Sequence, residues 1–275
     1  MVTHAPMKYG MLLFILSFGV ALTPSPVRAH EGLHEQIVAV TAKIKRDPKN
    51  ASLFLQRGEL HRLHRDWVRA EGDYDRALRL QPGLVIVELA RGKMLFESRR
   101  YRRAKVMLDR FLNRQPTYVE GLITRARVVA KLGDEVAAVH DFARAIELSS
   151  APDPDLYLER AKVFASNKQE ALNGLDEGIK RLGPVVTLEL AAIELELKLR
   201  NYDMALQRLD AIAVQSERKE VWLVHRGEIL REAGRGDEAR AAFNAALVAI
   251  ESLPAERRQH RDMIALQLRA QSAIR

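Results

Sequence analysis

The chain has 275 residues, of which 47% are hydrophobic, and it carries 44 Lys and Arg against 36 Asp and Glu. This composition is too apolar and too evenly charged for an intrinsically disordered protein, so we expect a globular or repeat fold. The chain has no cysteine, which excludes disulfide bonds, thiolate metal sites, cysteine nucleophiles and the lipid-bearing N-terminal cysteine of bacterial lipoproteins.

The first 29 residues have the features of an export signal and contain no acid. Lys8 supplies a positive charge, residues 11–22 form an apolar run, and Val27-Arg28-Ala29 fits a cleavage site. We expect a signal peptide at residues 1–29, cleavage after Ala29, and a periplasmic or secreted chain with a net charge of +6. The alternative is a membrane anchor formed by the uncleaved signal. No second apolar run follows, so we expect no transmembrane span in the mature chain.

A regularly spaced alanine divides the rest of the chain into six similar segments. Successive alanines are 33 or 34 residues apart, and a large apolar residue stands four positions after each one. The alanines are Ala70, Ala104, Ala138, Ala171, Ala205 and Ala239. The large residues are Tyr74, Leu108, Phe142, Leu175, Leu209 and Phe243. In four segments a small residue also stands twelve positions before the alanine: Gly58, Gly92, Ala126 and Gly227.

This pattern predicts two antiparallel helices in each segment. Apolar residues at helical spacing form one face of a helix, and small residues at fixed positions let paired helices approach closely. A single pair cannot bury its apolar face, so successive pairs are expected to stack. The first helices of the pairs are predicted to begin near Ala51, Val85, Val119, Pro154, Thr187 and Glu220.

The segments resemble the tetratricopeptide repeat, a helix-turn-helix unit of about 34 residues. The resemblance covers residues 51–252 and implies an all-α, right-handed superhelical solenoid of about six repeats. Residues 30–50 are expected to form an N-terminal capping helix or half repeat, and residues 253–275 a C-terminal capping helix. The spacing departs from the family between Ala161 and Ala171, which are too close, and in the fifth repeat. We therefore expect irregular stacking in the fourth and fifth repeats.

The histidines near the N-terminus offer a second possible function. The segment His30-Glu31-Gly32-Leu33-His34 matches the pattern of a zinc protease, but a glycine interrupts it and the expected cleavage leaves no helical turn before it. A plain Zn or Cu site is the alternative that stays open. Its candidate ligands are His30, His34, His61 and His64.

The sequence contains two groups of arginines, of which the first has both a structural and a functional interpretation. Arg99-Arg100-Tyr101-Arg102-Arg103 lies at the turn of the second repeat. These arginines either pair with neighbouring acids or form a patch for anionic lipid head groups or an acidic polymer. A second group recurs once per repeat and is expected to bond acids or carbonyls between adjacent repeats. It consists of Arg57, Arg91, Arg125, Arg160 and Arg226.

In the tetratricopeptide repeat family, the first helix of each pair lines a concave surface that binds extended peptides or helices. This resemblance implies an apolar row formed by Leu55, Leu89, Ile123, Leu158 and Val224. The next turn of the same face holds Glu59, Lys93, Arg127, Lys162 and Glu228. We expect a groove with an apolar floor, a basic middle and acidic ends, suited to a partner with apolar and acidic residues. The alternative is that the termini of the chain cover part of this face.

The sequence therefore predicts a non-catalytic scaffold of the cell envelope that binds a protein or peptide. No catalytic motif or phosphate-binding loop is present, so we expect no enzymatic activity, no cofactor and no nucleic-acid partner. The runner-up is a periplasmic metal-binding protein that uses the N-terminal histidines.

Overall fold

The computed structural model describes residues 26–164 and 167–274. Within these ranges the chain forms helices and the loops between them, without any strand. The chain divides after Pro82 into two compact units, which are described separately. The helices of the first unit are α1 (Pro26–Arg46), α2 (Ala51–Leu63) and α3 (Trp67–Leu80).

The second unit contains the remaining helices. They are α4 (Ile86–Glu97), α5 (Tyr101–Arg114), α6 (Val119–Lys131), α7 (Glu135–Leu148), α8 (Pro154–Val163), α9 (Lys168–Leu182), α10 (Val186–Lys198), α11 (Tyr202–Gln215), α12 (Lys219–Glu232), α13 (Gly236–Glu251), α14 (Ala255–Arg258) and α15 (Arg261–Ile274). None of the helices that the structure describes combines the length and the hydropathy needed to cross a bilayer. The predicted signal peptide lies largely outside these ranges, although α1 begins at Pro26, before the expected cleavage point.

Helices α2 to α13 form six antiparallel pairs, so the all-α repeat architecture predicted from the sequence is confirmed. In every pair the first helix begins within one residue of its predicted start. The pairs are α2/α3 in the first unit and α4/α5, α6/α7, α8/α9, α10/α11 and α12/α13 in the second.

The paired helices pack closely because a small residue on one faces a large side chain on the other. Tyr74 and Phe243, on the second helices of their pairs, are at most 1% exposed. A Cβ atom at Gly58 would lie 2.6 Å from the Tyr74 ring, and one at Gly227 would lie 2.7 Å from the Phe243 ring. Only glycine therefore permits this approach of the two backbones.

The fourth repeat keeps the large buried residue Leu175 on its second helix but also has a close contact of the opposite sense. Here the large side chain is Tyr157 on the first helix, and the small residue is Gly178 on the second. A Cβ atom at Gly178 would lie 2.8 Å from Tyr157 and 3.1 Å from Leu188. Helix α8 is also short, with 10 residues. The irregularity expected in the fourth repeat therefore consists of a shorter helix and an exchanged contact.

Five of the six pairs are joined by a turn whose middle residue is left-handed. These residues are Arg65, Arg99, Gly133, Arg200 and Gly234, with φ between 60° and 84°. In the first such turn the Asp66 N–H donates to the His61 carbonyl and the Arg65 N–H to the Arg62 carbonyl, both at 2.8 Å. This is the Schellman pattern, which satisfies the last carbonyls of a helix.

The recurring arginines link the two helices of a pair through buried acids. Arg57 donates to both oxygens of Asp73, and Arg125 does the same to Asp141, over 2.6–2.8 Å. These hydrogen bonds raise the pKa of both arginines. Arg125 also reaches Asp109 in the preceding repeat at 3.1 Å, as predicted for contacts between repeats. In the fourth repeat Arg160 pairs with Glu177 of the same repeat. In the sixth repeat Arg226 pairs with Asp210 of the preceding repeat, as Arg125 does with Asp109.

The terminal helices bury one apolar face each. In the first unit, α1 packs against α2 and buries Val40 and Ile44. In the second unit, α15 packs against α13 and α12 and buries Met263, Leu266 and Ala270. The C-terminal segment, expected as one helix, is divided into the short α14 and the longer α15.

Candidate functional site

A cavity of about 330 Å³ lies in the second unit between the first helices of the second, third and fourth repeats. We call it the concave pocket. Apolar side chains on its wall are Phe96, Ile123 and Leu156. The other lining residues are Lys93, Glu97, Glu120, Thr124, Arg127, Asp153, Asp155 and Glu159. The predicted site residues Lys93, Ile123 and Arg127 therefore do lie together.

Two ion pairs connect the three helices across the pocket. The Lys93 ammonium on α4 donates to Glu120 of α6 at 2.7 Å. Arg127 of α6 donates through two nitrogens to both oxygens of Glu159 of α8, each at 2.7 Å. The hydrogen bond to Glu159 raises the pKa of Arg127. Each basic side chain of the pocket is therefore paired with an acid of the next repeat.

The predicted basic middle of the groove is not present. Lys93 and Arg127 are the cations on the pocket wall, and Glu120 and Glu159 pair with them. Three more carboxylates line the same wall, on Glu97, Asp153 and Asp155. The pocket therefore carries an excess of negative charge. An acidic partner, which the sequence led us to expect, would be repelled by this excess rather than attracted.

Three other predicted groove residues do not line the pocket. Leu89 is 2% exposed and belongs to the core. Leu158 packs against the apolar cluster of the third to fifth repeats, and Lys162 is exposed outside the pocket. The fourth repeat instead contributes Asp155 and Glu159 from the first two turns of α8. The second repeat contributes the last turns of α4, so successive helices are staggered and the lining residues shift to earlier repeat positions from α4 to α8.

The predicted residues of the first repeat lie in the first unit. Leu55 is half-buried. Glu59 accepts hydrogen bonds from the Tyr74 hydroxyl and from Arg62, the latter at 3.0 Å. Its carboxylate therefore stabilises the packing of α2 against α3, which is a structural role within that unit.

The C-terminal helix α15 packs against the sixth repeat at the end of the second unit. Val224 is fully buried, and Glu228 on α12 accepts a hydrogen bond from Arg269 on α15. His225 on the same helix lies 3.6 Å from Glu228, and burial lowers its pKa. Helix α15 contacts α13 more than α12, as a further first helix of the stack would, so it caps the repeats and the covering of the concave face by a terminus stays a prediction.

Asp153 and Asp155 were not predicted to be site residues, although the sequence around them predicts the start of a helix. Asp153 accepts a hydrogen bond from the Asp155 N–H at 2.9 Å and caps α8, where proline is the first helical residue. An Asp-Pro-Asp sequence is typical of a helix start. It therefore places carboxylates at the beginning of α8, and this end of the helix faces the pocket.

Among the side chains that the structure describes, in residues 32–164 and 167–274, no group of three or more His, Asp or Glu could hold a metal ion. The His30 side chain lies outside the described side chains, while the backbone of residues 30–34 lies within α1. In the uncleaved chain, therefore, a helical turn does precede this motif. His61 is 5% exposed, and burial lowers its pKa. It lines a cavity of about 410 Å³ in the first unit, beside the Arg57–Asp73 pair.

Residues 154–271 match the family model of a tetratricopeptide repeat-like domain. Among solved structures, the chain is similar to the C-terminal part of a TPR repeat-containing protein from Cytophaga hutchinsonii. The TM-score is 0.64 at 12% identity, and the match covers 87% of this chain and 95% of that one. It is also similar to PilW, described as a type IV pilus biogenesis factor, with a TM-score of 0.56 at 18% identity over 72% of this chain and 93% of that one.

A tetratricopeptide repeat protein from Parabacteroides merdae gives a TM-score of 0.50 at 17% identity, covering 89% of this chain and 99% of that one. No curated protein sequence matches the chain. At these identities the structural matches concern the fold. Together with the six helix pairs, they show that the chain has the tetratricopeptide repeat fold and that residues 154–271 form a tetratricopeptide repeat-like domain.

Proposed function

We propose that this chain is a non-catalytic scaffold of the cell envelope that binds a peptide or helix of another protein in the concave pocket. The observation that carries the proposal is the pocket itself, an open cavity whose wall comes from three successive repeats. Binding proteins typically combine apolar surface for affinity with a few charged groups for specificity. The envelope location rests on the export signal expected at residues 1–29.

The charge of the pocket defines the partner more narrowly. Ile123 and Phe96 offer apolar surface, and the carboxylates that line the pocket outnumber its two lining cations, Lys93 and Arg127. A partner segment with a Lys or Arg next to an apolar side chain matches both the carboxylates and the apolar surface of the pocket, because opposite charges favour encounter and orientation. We therefore propose that the bound segment is basic and apolar, not acidic and apolar.

A photocrosslinking experiment in intact cells tests this function. A benzophenone amino acid at position 123 places the probe in the pocket, and the same probe at position 136 gives a control, since Val136 is 83% exposed on α7. We expect a distinct protein adduct from position 123 only. Identical adducts from the two positions would contradict a binding role of the pocket.

A charge variant then tests the role of the acids. In E97K/D155K, the adduct from position 123 is expected to fall by at least tenfold, because like charges now face the basic segment. The variant E232K/E251K makes the same change in net charge at exposed residues outside the pocket and is expected to retain the adduct. An adduct that increases in E97K/D155K would show that the bound segment is acidic.

A further inference from the structure

Helix α5 and the turn before it carry a group of exposed arginines. Arg99, Arg100, Arg102, Arg103 and Arg110 are all exposed. None of these five side chains forms an ion pair with an acid in the part of the chain that the structure describes. The expectation that this cluster pairs with neighbouring acids is therefore wrong. We call these five residues the α5 arginine face.

The acid on α5 does not neutralise this face. Asp109 lies between Lys105, at 2.7 Å, and Arg125 of α6, at 3.1 Å. Its carboxylate therefore pairs with a lysine of the same helix and with an arginine of the third repeat, and with none of the five exposed arginines. By contrast, Arg57, Arg125, Arg127 and Arg160 each pair with an acid at 2.6–2.7 Å. The positive charge of the α5 arginine face is thus uncompensated.

The face is held in place by the opposite side of the helix. Ala104, Leu108 and Phe111 are at most 1% exposed and fix α5 in the core of the second unit. Arg102 and Arg110 lie on the outer side, within about 100° of each other around the axis and about 12 Å apart along it. Val106, which is 48% exposed, lies between them. The result is a rigid, convex, basic surface with an apolar side chain at its centre.

We propose that the α5 arginine face docks on the surface of an anionic phospholipid bilayer. Guanidinium groups form paired hydrogen bonds with phosphate oxygens, and several arginines on one helix face attract anionic lipids additively. Val106 can enter the headgroup layer between them. The two cavities described above are lined by residues outside α5. An extended layer of lipid phosphates contacts several of these arginines at once, and this docking is independent of the concave pocket.

Vesicle flotation of the full chain tests this proposal. Binding is compared between vesicles of phosphatidylcholine alone and vesicles that also contain phosphatidylglycerol. Because the whole chain includes the apolar residues 11–22, the readout is the increase in affinity that phosphatidylglycerol produces. In R102Q/R103Q/R110Q this increase is expected to fall by on the order of a hundredfold, since each arginine near an anionic surface contributes roughly fivefold.

A second variant tests whether vesicle binding depends on this face or only on the net charge of the chain. R257Q/R258Q/R261Q also removes three exposed arginines, on α14 and at the start of α15. It is expected to bind like the unmodified chain, and both variants are expected to keep its thermal unfolding profile by circular dichroism. Equal losses in the two variants, or no dependence on phosphatidylglycerol, would overturn the proposal.

Soluble anions distinguish lipid from other ligands with negative charge. Polyglutamate and inorganic phosphate are titrated against the same three chains. Weak binding of both, without a difference between the chains, is the expected result. If R102Q/R103Q/R110Q instead loses affinity for polyglutamate while its vesicle binding is unchanged, the face recognises an acidic polypeptide and the lipid proposal fails.

Discussion

The third and fourth repeats build the same kind of helix pair from opposite sequence patterns. In the third repeat the buried aromatic ring is Phe142 on the second helix, with Ala126 on the first. In the fourth the ring is Tyr157 on the first helix, against Gly178 on the second. Both rings are at most 1% exposed. A repeat of this chain therefore needs one large and one small residue where its helices meet, but either helix can supply the large one.

The largest expected effects come from removing the two rings. Tyr157→Ala and Phe142→Ala should each lower the free energy of unfolding by about 4 kcal/mol, because each leaves a cavity in a buried contact. Urea unfolding followed by circular dichroism measures both values. If Tyr157→Ala lowered the free energy of unfolding by less than half as much as Phe142→Ala, the Tyr157–Gly178 contact would be weaker than its counterpart in the third repeat. The two repeats would then not be equivalent.

The arginine pairs of the two repeats provide the next test. Asp141 is 3% exposed in its side chain and receives two hydrogen bonds from Arg125, whereas the Glu177 side chain that pairs with Arg160 is 52% exposed. Asp141→Ala should cost about 3 kcal/mol, because Asp141 is buried and the partly buried Arg125 loses its principal partner. Glu177→Ala should cost about 1 kcal/mol, because the Glu177 carboxylate is half exposed and the buried Arg160 keeps its hydrogen bond to the Gly174 carbonyl. Similar unfolding energies for the two variants would contradict this difference in burial.

Gly178 of the fourth repeat occupies the same repeat position as Ala145 of the third. Gly178→Ala should destabilise by about 2 kcal/mol, although alanine favours helices, because the added Cβ would meet the Tyr157 ring and Leu188. The matched change Ala145→Gly should cost about 1 kcal/mol through helix propensity and lost packing. Thermal unfolding of both variants measures the difference. A Gly178→Ala chain that is more stable than the parent would show that α8 and α9 do not approach so closely.

The periodic residues were sufficient to predict the fold. Glycine or alanine at the helix contact and an apolar residue 16 positions later recur in the sequence, and Gly58 with Tyr74 shows why, since that contact depends on residues of one repeat. The exchange in the fourth repeat was not predictable in this way. Tyr157 and Gly178 each fit an ordinary repeat position, and only their mutual distance identifies them as partners.

The candidate site was predicted less well than the fold because it depends on contacts between repeats. Lys93, Ile123 and Arg127 were found from their repeat positions, and they do line the pocket. The stagger of α8 replaced Lys162 by Glu159 and added Asp155, which inverted the expected charge. Stagger follows from how side chains of different repeats pack, and repeat spacing alone carries little information about it. The irregular fourth repeat thus supplies the acids that define the proposed partner.

The smallest effect that we predict concerns the hydroxyl group of Tyr157. Its oxygen is buried and has no hydrogen-bond partner within the described residues, in contrast to the Tyr74 hydroxyl, which donates to Glu59. A buried polar group without a partner costs free energy, so Tyr157→Phe should stabilise the chain by about 1 kcal/mol. Tyr74→Phe is the control and should destabilise it by about 1 kcal/mol, since it removes a hydrogen bond to a carboxylate. If both changes destabilise equally in urea unfolding, the Tyr157 hydroxyl has a partner and the apolar packing of the fourth repeat must be reassigned.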